Sequence, residues 1–429
     1  MNWQNNDITE MTARLPGEAV PWLRELRAQQ WQRFLQRGLP TRQDEGWKYT
    51  DISSITQQAF VNVPDNLASD ELVLKSNQQD AIELIFVNGQ LKTIVSDLPS
   101  GLVMCDLRSA LHSHPEWVKR GLSQHQENGA GMVNFNTSLW ENGLFIMVAD
   151  DAVIDKPIVV RYLTTVTEPS MMVLRNIIFL GKNSQLTLFQ DFQSDSTAPY
   201  WQHSITQINC AEHAQLNHIK CQQEGLQSTH LSENLVQQSS ESLVNSSSFA
   251  LGAKLHREAW QVSLTGRAAR CHCRGLAIAN NTQHLDAHLI LNHQAPACIS
   301  EQVFKSIASD KSRTIFNGKV VVEPSGQQAQ AHQLSQNLLL SALAEIDTRP
   351  ELEIYADDVK CSHGASVGQL DPDALFYLQS RGIDHEQASG MLLHAFIHDQ
   401  LVDLEPWIQA LIAPLLEQKL AHINGVQCQ

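Results

Sequence analysis

The stretch from Glu351 to Gly368, ELEIYADDVKCSHGASVG, sets a thiol and an imidazole two residues apart in a segment that reads as strand. Side chains of an extended chain alternate between faces, so Cys361 and His363 point the same way, with Lys360 beside them. A thiolate is both a nucleophile toward sulfur and a ligand for iron, and positive charge on Lys360 or a protonated His363 favours that form. The pair therefore suits soft-metal or sulfur chemistry. The competing reading makes Cys361, in phase with Val359, a small buried hydrophobe. Apolar alternation also changes phase here: Leu352, Ile354 and Ala356 fall at even positions, Val359, Ala365 and Val367 at odd ones. A bend or bulge near Asp357 and Asp358 is the simplest cause.

Other constellations are weaker. Cys271-His272-Cys273 puts two thiols on one strand face, without a second ligand pair at zinc-finger spacing. In QHLDAHLILNH, strand parity aligns His284, Asp286 and His288, which can satisfy one another as a polar ladder more simply than they can hold a metal. Asp357 and Asp358, being adjacent, diverge if extended and make a poor acid/base pair. No phosphate-binding G-x-x-x-x-G-K-[ST], G-x-G-x-x-G or H-E-x-x-H occurs, so the chain carries no signal for nucleotide hydrolysis or zinc proteolysis.

Composition narrows the partners. The 429 residues include 30 Lys plus Arg against 46 Asp plus Glu, a formal charge of -16 that repels nucleic acid and anionic membranes. The first residues hold no apolar run of signal-peptide length, and no later run approaches a membrane span, so a cytoplasmic protein is expected. Eight cysteines without a C-x-x-C pair read as reduced thiols.

Three kinds of element must position the Cys361 and His363 pair. An amphipathic helix is predicted from about 17 to 37, with Val20, Leu23, Leu26, Phe34 and Leu35 on its apolar side and Gly38 and Pro40 as stops. In the linker that follows, Trp47 and Tyr49 are expected to anchor the chain to the main body. From about 81 to 368, short strands alternate with polar turns and hardly any segment has helical periodicity. Strand starts at Gln185, Gln215, Ser242 and Arg270 recur weakly at about 28 residues, which stacked coils of fixed length would give, with a β-sandwich as the alternative although some 290 residues is long for one. A β-solenoid hydrogen-bonds each strand to the coils above and below and leaves unpaired edges only at its ends. Helices return after Asp371, an N-cap before Pro372, with Gly382 closing the first and Asp384 opening the second. The second carries a stripe of Ala388, Met391, Leu392, Ala395 and Phe396. A third is expected over 406–422, with Ile408, Leu411, Ile412, Leu415 and Leu416. The chain thus divides into an N-terminal helical region and linker (1–80), a β core (81–370) and a C-terminal helical domain (371–429).

Long motifs in these elements resemble a known family. RPELEIYADDVKCSHGASVGQLDPDALFYLQSRGI is similar to the C-terminal signature of the SufB/SufD family of SUF-system iron-sulfur scaffold subunits, on its SufD side. LPTRQDEGWKYTDIS is similar to its N-terminal signature, and FNGKVVVEPSGQQAQAHQLSQNLLLS extends the likeness over most of the C-terminal half. Ser366 stands where threonine is common in the family and keeps the hydroxyl. The resemblance implies a right-handed parallel β-helix flanked by helical regions. It further implies a non-catalytic scaffold that pairs with SufB through β-helix edges and binds the SufC ATPase through its C-terminal helices. His363 would then be an iron or cluster ligand and Cys361 its neighbouring thiol, holding a transient iron-sulfur cluster shared with SufB. The main sulfur-accepting cysteine would belong to SufB. Flavin binding and the roles of Cys271, Cys273, His284 and His288 stay open, and two similar β-helix ends allow a homodimer when the chain is alone. The alternatives are a cytosolic β-helix carbohydrate-active enzyme using acids such as Asp357, or an interaction protein without metal chemistry. The first is disfavoured by an aromatic content of only 6%.

Overall fold

The computed structural model describes residues 15–62, 81–93, 97–123 and 131–424. Its centre is a mainly parallel β-solenoid of about eight turns. Each coil contributes one strand to each of two ten-stranded sheets, so that alternate strands in the chain stack within one sheet. Gln185, Gln215, Leu243, Arg270, Ile299, Gln330 and Lys360 follow one another up one sheet, which sets coil lengths of 27–31 residues. The predicted spacing of about 28 is this coil.

Register is locked at the corners as well as in the strands. Asn183, His213, Glu241, Ala268, Ala297 and Gln328 occupy successive corners in the left-handed backbone region. The N–H of each donates to a carbonyl in the corner of the following coil, such as His213 to Ser240 at 3.0 Å and Ala297 to Gln327 at 2.8 Å. That conformation costs a residue with a Cβ about 1 kcal/mol, offset here by a backbone bond that would otherwise go unmade.

Helices cover the outer face of each sheet. On one side α1 (Pro21–Arg37) buries Leu23, Leu26, Trp31 and Phe34. It packs with α2 (Leu107–Ser113), α3 (Pro115–Ser123) and α4 (Gly131–Leu139) against Met171, Val173, Ile177 and Trp201. Leu35 of the expected stripe lies on the exposed side instead. On the other side α5 (His385–Ile397) and α6 (Pro406–Asn424) insert Leu393, Ile397, Ile408, Ile412 and Leu416 among Phe189, Ile219, Phe249 and Ile307. The stripe expected on α5 is shifted by rotation about the helix axis. Leu393 and Ile397 are buried while Met391 is 51% exposed.

The reading of hardly any helical periodicity between 81 and 368 is corrected by α2, α3 and α4. The first two are only seven and nine residues long, and every residue of α4 is buried, so no polar face exists to reveal its period.

The two ends of the solenoid differ. At the N-terminal end the strand Ile82–Val87 carries a short antiparallel partner, Gln90–Leu91, and Leu102–Asp106 runs antiparallel to Leu144–Val148. Leu84, Phe86, Leu102 and Met104 are buried there. At the other end Glu345–Ile354 and Lys360–Gly368 close the two sheets, each hydrogen-bonded on one side only.

Candidate functional site

The open end is built from the inward-facing positions of the last coil. Cys361, His363, Ala365 and Val367 stand over Ala331, Gln333, Ser335 and Asn337, all four of which are buried. By the same parity Ile346, Thr348, Pro350, Leu352 and Ile354 stand over Thr314, Phe316, Gly318, Val320 and Val322. These are core positions of a solenoid, yet no further coil covers them. His363 and Val367 are exposed and Cys361 is half-buried against Ala331 and its neighbours. Thr348 donates to Ser335 Oγ at 2.9 Å and ties the two sheets together at this end. Asn337 Nδ2 donates to the Ser366 carbonyl at 2.9 Å and holds the last strand. The last coil and its turns also expose a rim of apolar side chains, Leu343, Ile354, Tyr355 and Val367.

The structure therefore brings Cys361 and His363 to one face, as parity requires, and makes that face solvent-accessible. The bend expected near Asp357 and Asp358 is present, as the corner between the two sheets rather than a bulge within one strand, with Asp358 N–H donating to Gln327 Oε1 at 3.0 Å. One expectation is corrected: the thiol is not activated by neighbouring charge. Burial is the largest influence on Cys361 and pushes its pKa up, a backbone N–H at Ala331 opposes it, and neither Lys360 nor His363 contributes. Lys360 projects to the opposite face, as alternation demands. Among the described residues no three His, Cys, Asp or Glu side chains converge as a metal site.

The remaining candidates lie elsewhere. Cys271 and Cys273 are fully buried inside the solenoid as free thiols with their sulfurs 3.7 Å apart, and Cys273 is held well above the ordinary thiol range by its hydrogen bond to Cys271 and by burial. His284, Asp286 and His288 align on the outer face, but their partners come from the N-terminal linker more than from one another. Thr50 Oγ1 donates to Asp286 Oδ2 at 2.6 Å and meets His284 Nε2 at 3.0 Å, and Arg257 forms an ion pair with Asp286. Arg257 also lies 4.2 Å from the Trp47 ring centre and Arg313 lies 5.7 Å from that of Tyr49, so both aromatics anchor the linker as expected. Glu45, paired with Arg349 at 3.1 Å, extends this contact to the final coil.

The interior also holds an ionised cluster that the sequence reading missed. Lys220 and Glu258 pair at 3.3 Å with both side chains about 95% buried or more. His230 Nδ1 sits 2.5 Å from Glu224, and Ser232 and Asn234 complete the hydrogen bonds. The available signal was QLNHIKCQ, where His218 and Lys220 share parity with Leu216.

Comparison with known proteins identifies the family of the chain. Residues 162–396 match the family model described as "SUF system FeS cluster assembly, SufBD core domain", and residues 8–160 match "SufBD protein N-terminal region". The chain is 32% identical over 387 residues to the iron-sulfur cluster assembly protein SufD of Escherichia coli, covering 88% of this chain and 89% of the relative. It is 32% identical to a SufBD family protein of Synechocystis, over 83% and 82% of the two chains. It is 27% identical to the chloroplastic protein ABCI7 of Arabidopsis thaliana, over 89% and 82%. With both halves matched in order and a full-length relative above 30% identity, this chain belongs to the SufB/SufD family of SUF-system iron-sulfur cluster assembly proteins.

Proposed function

We propose that this chain is a SufD-type scaffold that presents His363 and Cys361, at the uncapped end of its solenoid, to a nascent iron-sulfur cluster shared with a SufB-type subunit. The observation that carries the reading is the accessibility of core positions in the last coil. An imidazole and a thiol on an end with unpaired strand edges and an apolar rim supply part of a ligand set and a surface on which a second chain can supply the rest. The iron and sulfide are cargo. His363 is the iron or cluster ligand, and Cys361 is a supporting thiol whose burial keeps it protonated until a metal or partner displaces the proton.

The helix Pro372–Ser380, which precedes α5, supports docking of a SufC-type ATPase. Capped by Asp371, which accepts from Asp373 N–H at 2.9 Å, it buries none of its residues and exposes Phe376 and Tyr377. ATP hydrolysis would come from that partner, and the scaffold itself catalyses no reaction. No helix among the described residues is long and apolar enough to cross a membrane, in keeping with a cytoplasmic site of action. Without its partners the same open end supports a homodimer.

The test is co-purification from cells expressing both candidate partners, followed by anaerobic loading with iron and sulfide and visible absorption spectroscopy. His363→Ala is expected to retain both partners and lose most of the cluster absorption. Wild-type cluster yield in that variant rejects the ligand role, and loss of the partners rejects its assignment to chemistry over assembly.

A further inference from the structure

The column of side chains beneath His363 is polar to a depth that a solenoid core does not need. In register, His363 stands on Gln333, Gln333 on Gln302, and Gln302 on Cys273. Gln333 and Gln302 are both 0% exposed. Neither the oxygen nor the nitrogen of either carboxamide has a hydrogen-bond partner among the described residues. Three glutamines among those residues share this state, and two of them are stacked one above the other under the open end.

Burying an amide without partners costs on the order of 1–3 kcal/mol for each unmet group, so an apolar side chain would serve packing better. The space for Gln302 is moreover kept open by a glycine: a Cβ on Gly318 would stand 2.6 Å from Gln302 Oε1 and as close to the Phe316 ring. Turning the two carboxamides onto each other would satisfy one end of each. The upper end of Gln333 would still face the coil above, where parallel strands lie about 4.8 Å away and the residue in register is His363. A ligating imidazole needs a partner for its second ring nitrogen, which fixes the tautomer and aims the first nitrogen at the metal.

We infer that Gln333, backed by Gln302, is a positioning residue that hydrogen-bonds the inner ring nitrogen of His363, directly or through one water, and leaves the outer nitrogen free for iron. The inference rests on the proposed ligand role of His363, but its test does not. Gln333→Leu removes both amide atoms at nearly constant volume. In the full-length chain labelled with ¹⁵N-histidine, the His363 ring, assigned by its disappearance in His363→Ala, is expected to show one dominant neutral tautomer above pH 8. Gln333→Leu should return it to the mixed tautomers of a free imidazole. The Leu variant should also melt at or above the wild-type temperature, and its iron retention should fall about 10-fold or more. Identical ring shifts in wild type and Gln333→Leu overturn the inference, as does a free-imidazole pattern in the wild type. So does a lowered melting temperature in the Leu variant with the ring unchanged, which marks a purely structural glutamine. If His363→Ala assembles clusters normally, the ligand reading falls while the ring shifts still decide the contact.

Discussion

Burial, rather than charge, governs the chemistry of the thiol at the open end. With its pKa raised, Cys361 should alkylate with iodoacetamide more slowly than glutathione at pH 8, and the rate should keep climbing as the pH passes 9. Peptide mass spectrometry after timed labelling measures this, and a rate equal to that of the free thiol would contradict it. Much at this scale was legible in the sequence: residue parity alone puts Cys361 and His363 on one face. Their accessibility was not, because it depends on the coil that does not follow. Nor was the protonation state. Lys360 is adjacent in sequence, but alternation carries it across the strand, so nearness along the chain is a poor guide to electrostatic influence in β structure. The phase change at Asp357 and Asp358 marked in sequence the bend at which the two sheets meet.

Among the elements, the helix Pro372–Ser380 stands apart because it buries none of its residues and exposes Phe376 and Tyr377, while α5 and α6 each bury an apolar face. Replacing Phe376 and Tyr377 together with Asp should leave the thermal stability of the isolated chain within about 0.5 kcal/mol and abolish co-purification of the ATPase. Retention of that partner would move its docking surface elsewhere. The caps of the C-terminal helices were legible from Asp371, Pro372, Gly382 and Asp384, since each acts through local backbone geometry. Coil length was legible for the same reason: every coil repeats the same corner. The short helices between Leu107 and Leu139 were hidden because α4 is enclosed on all sides, and burial all round erases the polar face on which amphipathic periodicity depends.

In the molecule as a whole, the buried histidines set the response to acid. Burial holds His218 and His293 down to about 4, against roughly 6.5 in an unfolded chain. Over that window the unfolded state binds more protons. The stability gained by keeping these rings neutral is therefore complete above pH about 6.5 and is lost as the pH falls toward 4, by up to about 3 kcal/mol for each ring. Thermal midpoints should drop steadily from pH 7 to 4.5, and less so in His293→Gln; a flat profile would refute the assignment. The interior ion pair of Lys220 with Glu258 was only half legible in sequence: parity with Leu216 turns Lys220 inward, but its pairing with Glu258 needs the coil register. The contrast between the two ends carries a final consequence. Two rods that meet at their bare termini use up that surface on both and turn the short antiparallel strands outward at each extremity. A filament would have to continue through those antiparallel N-terminal strands, which do not match the parallel edge at the other end.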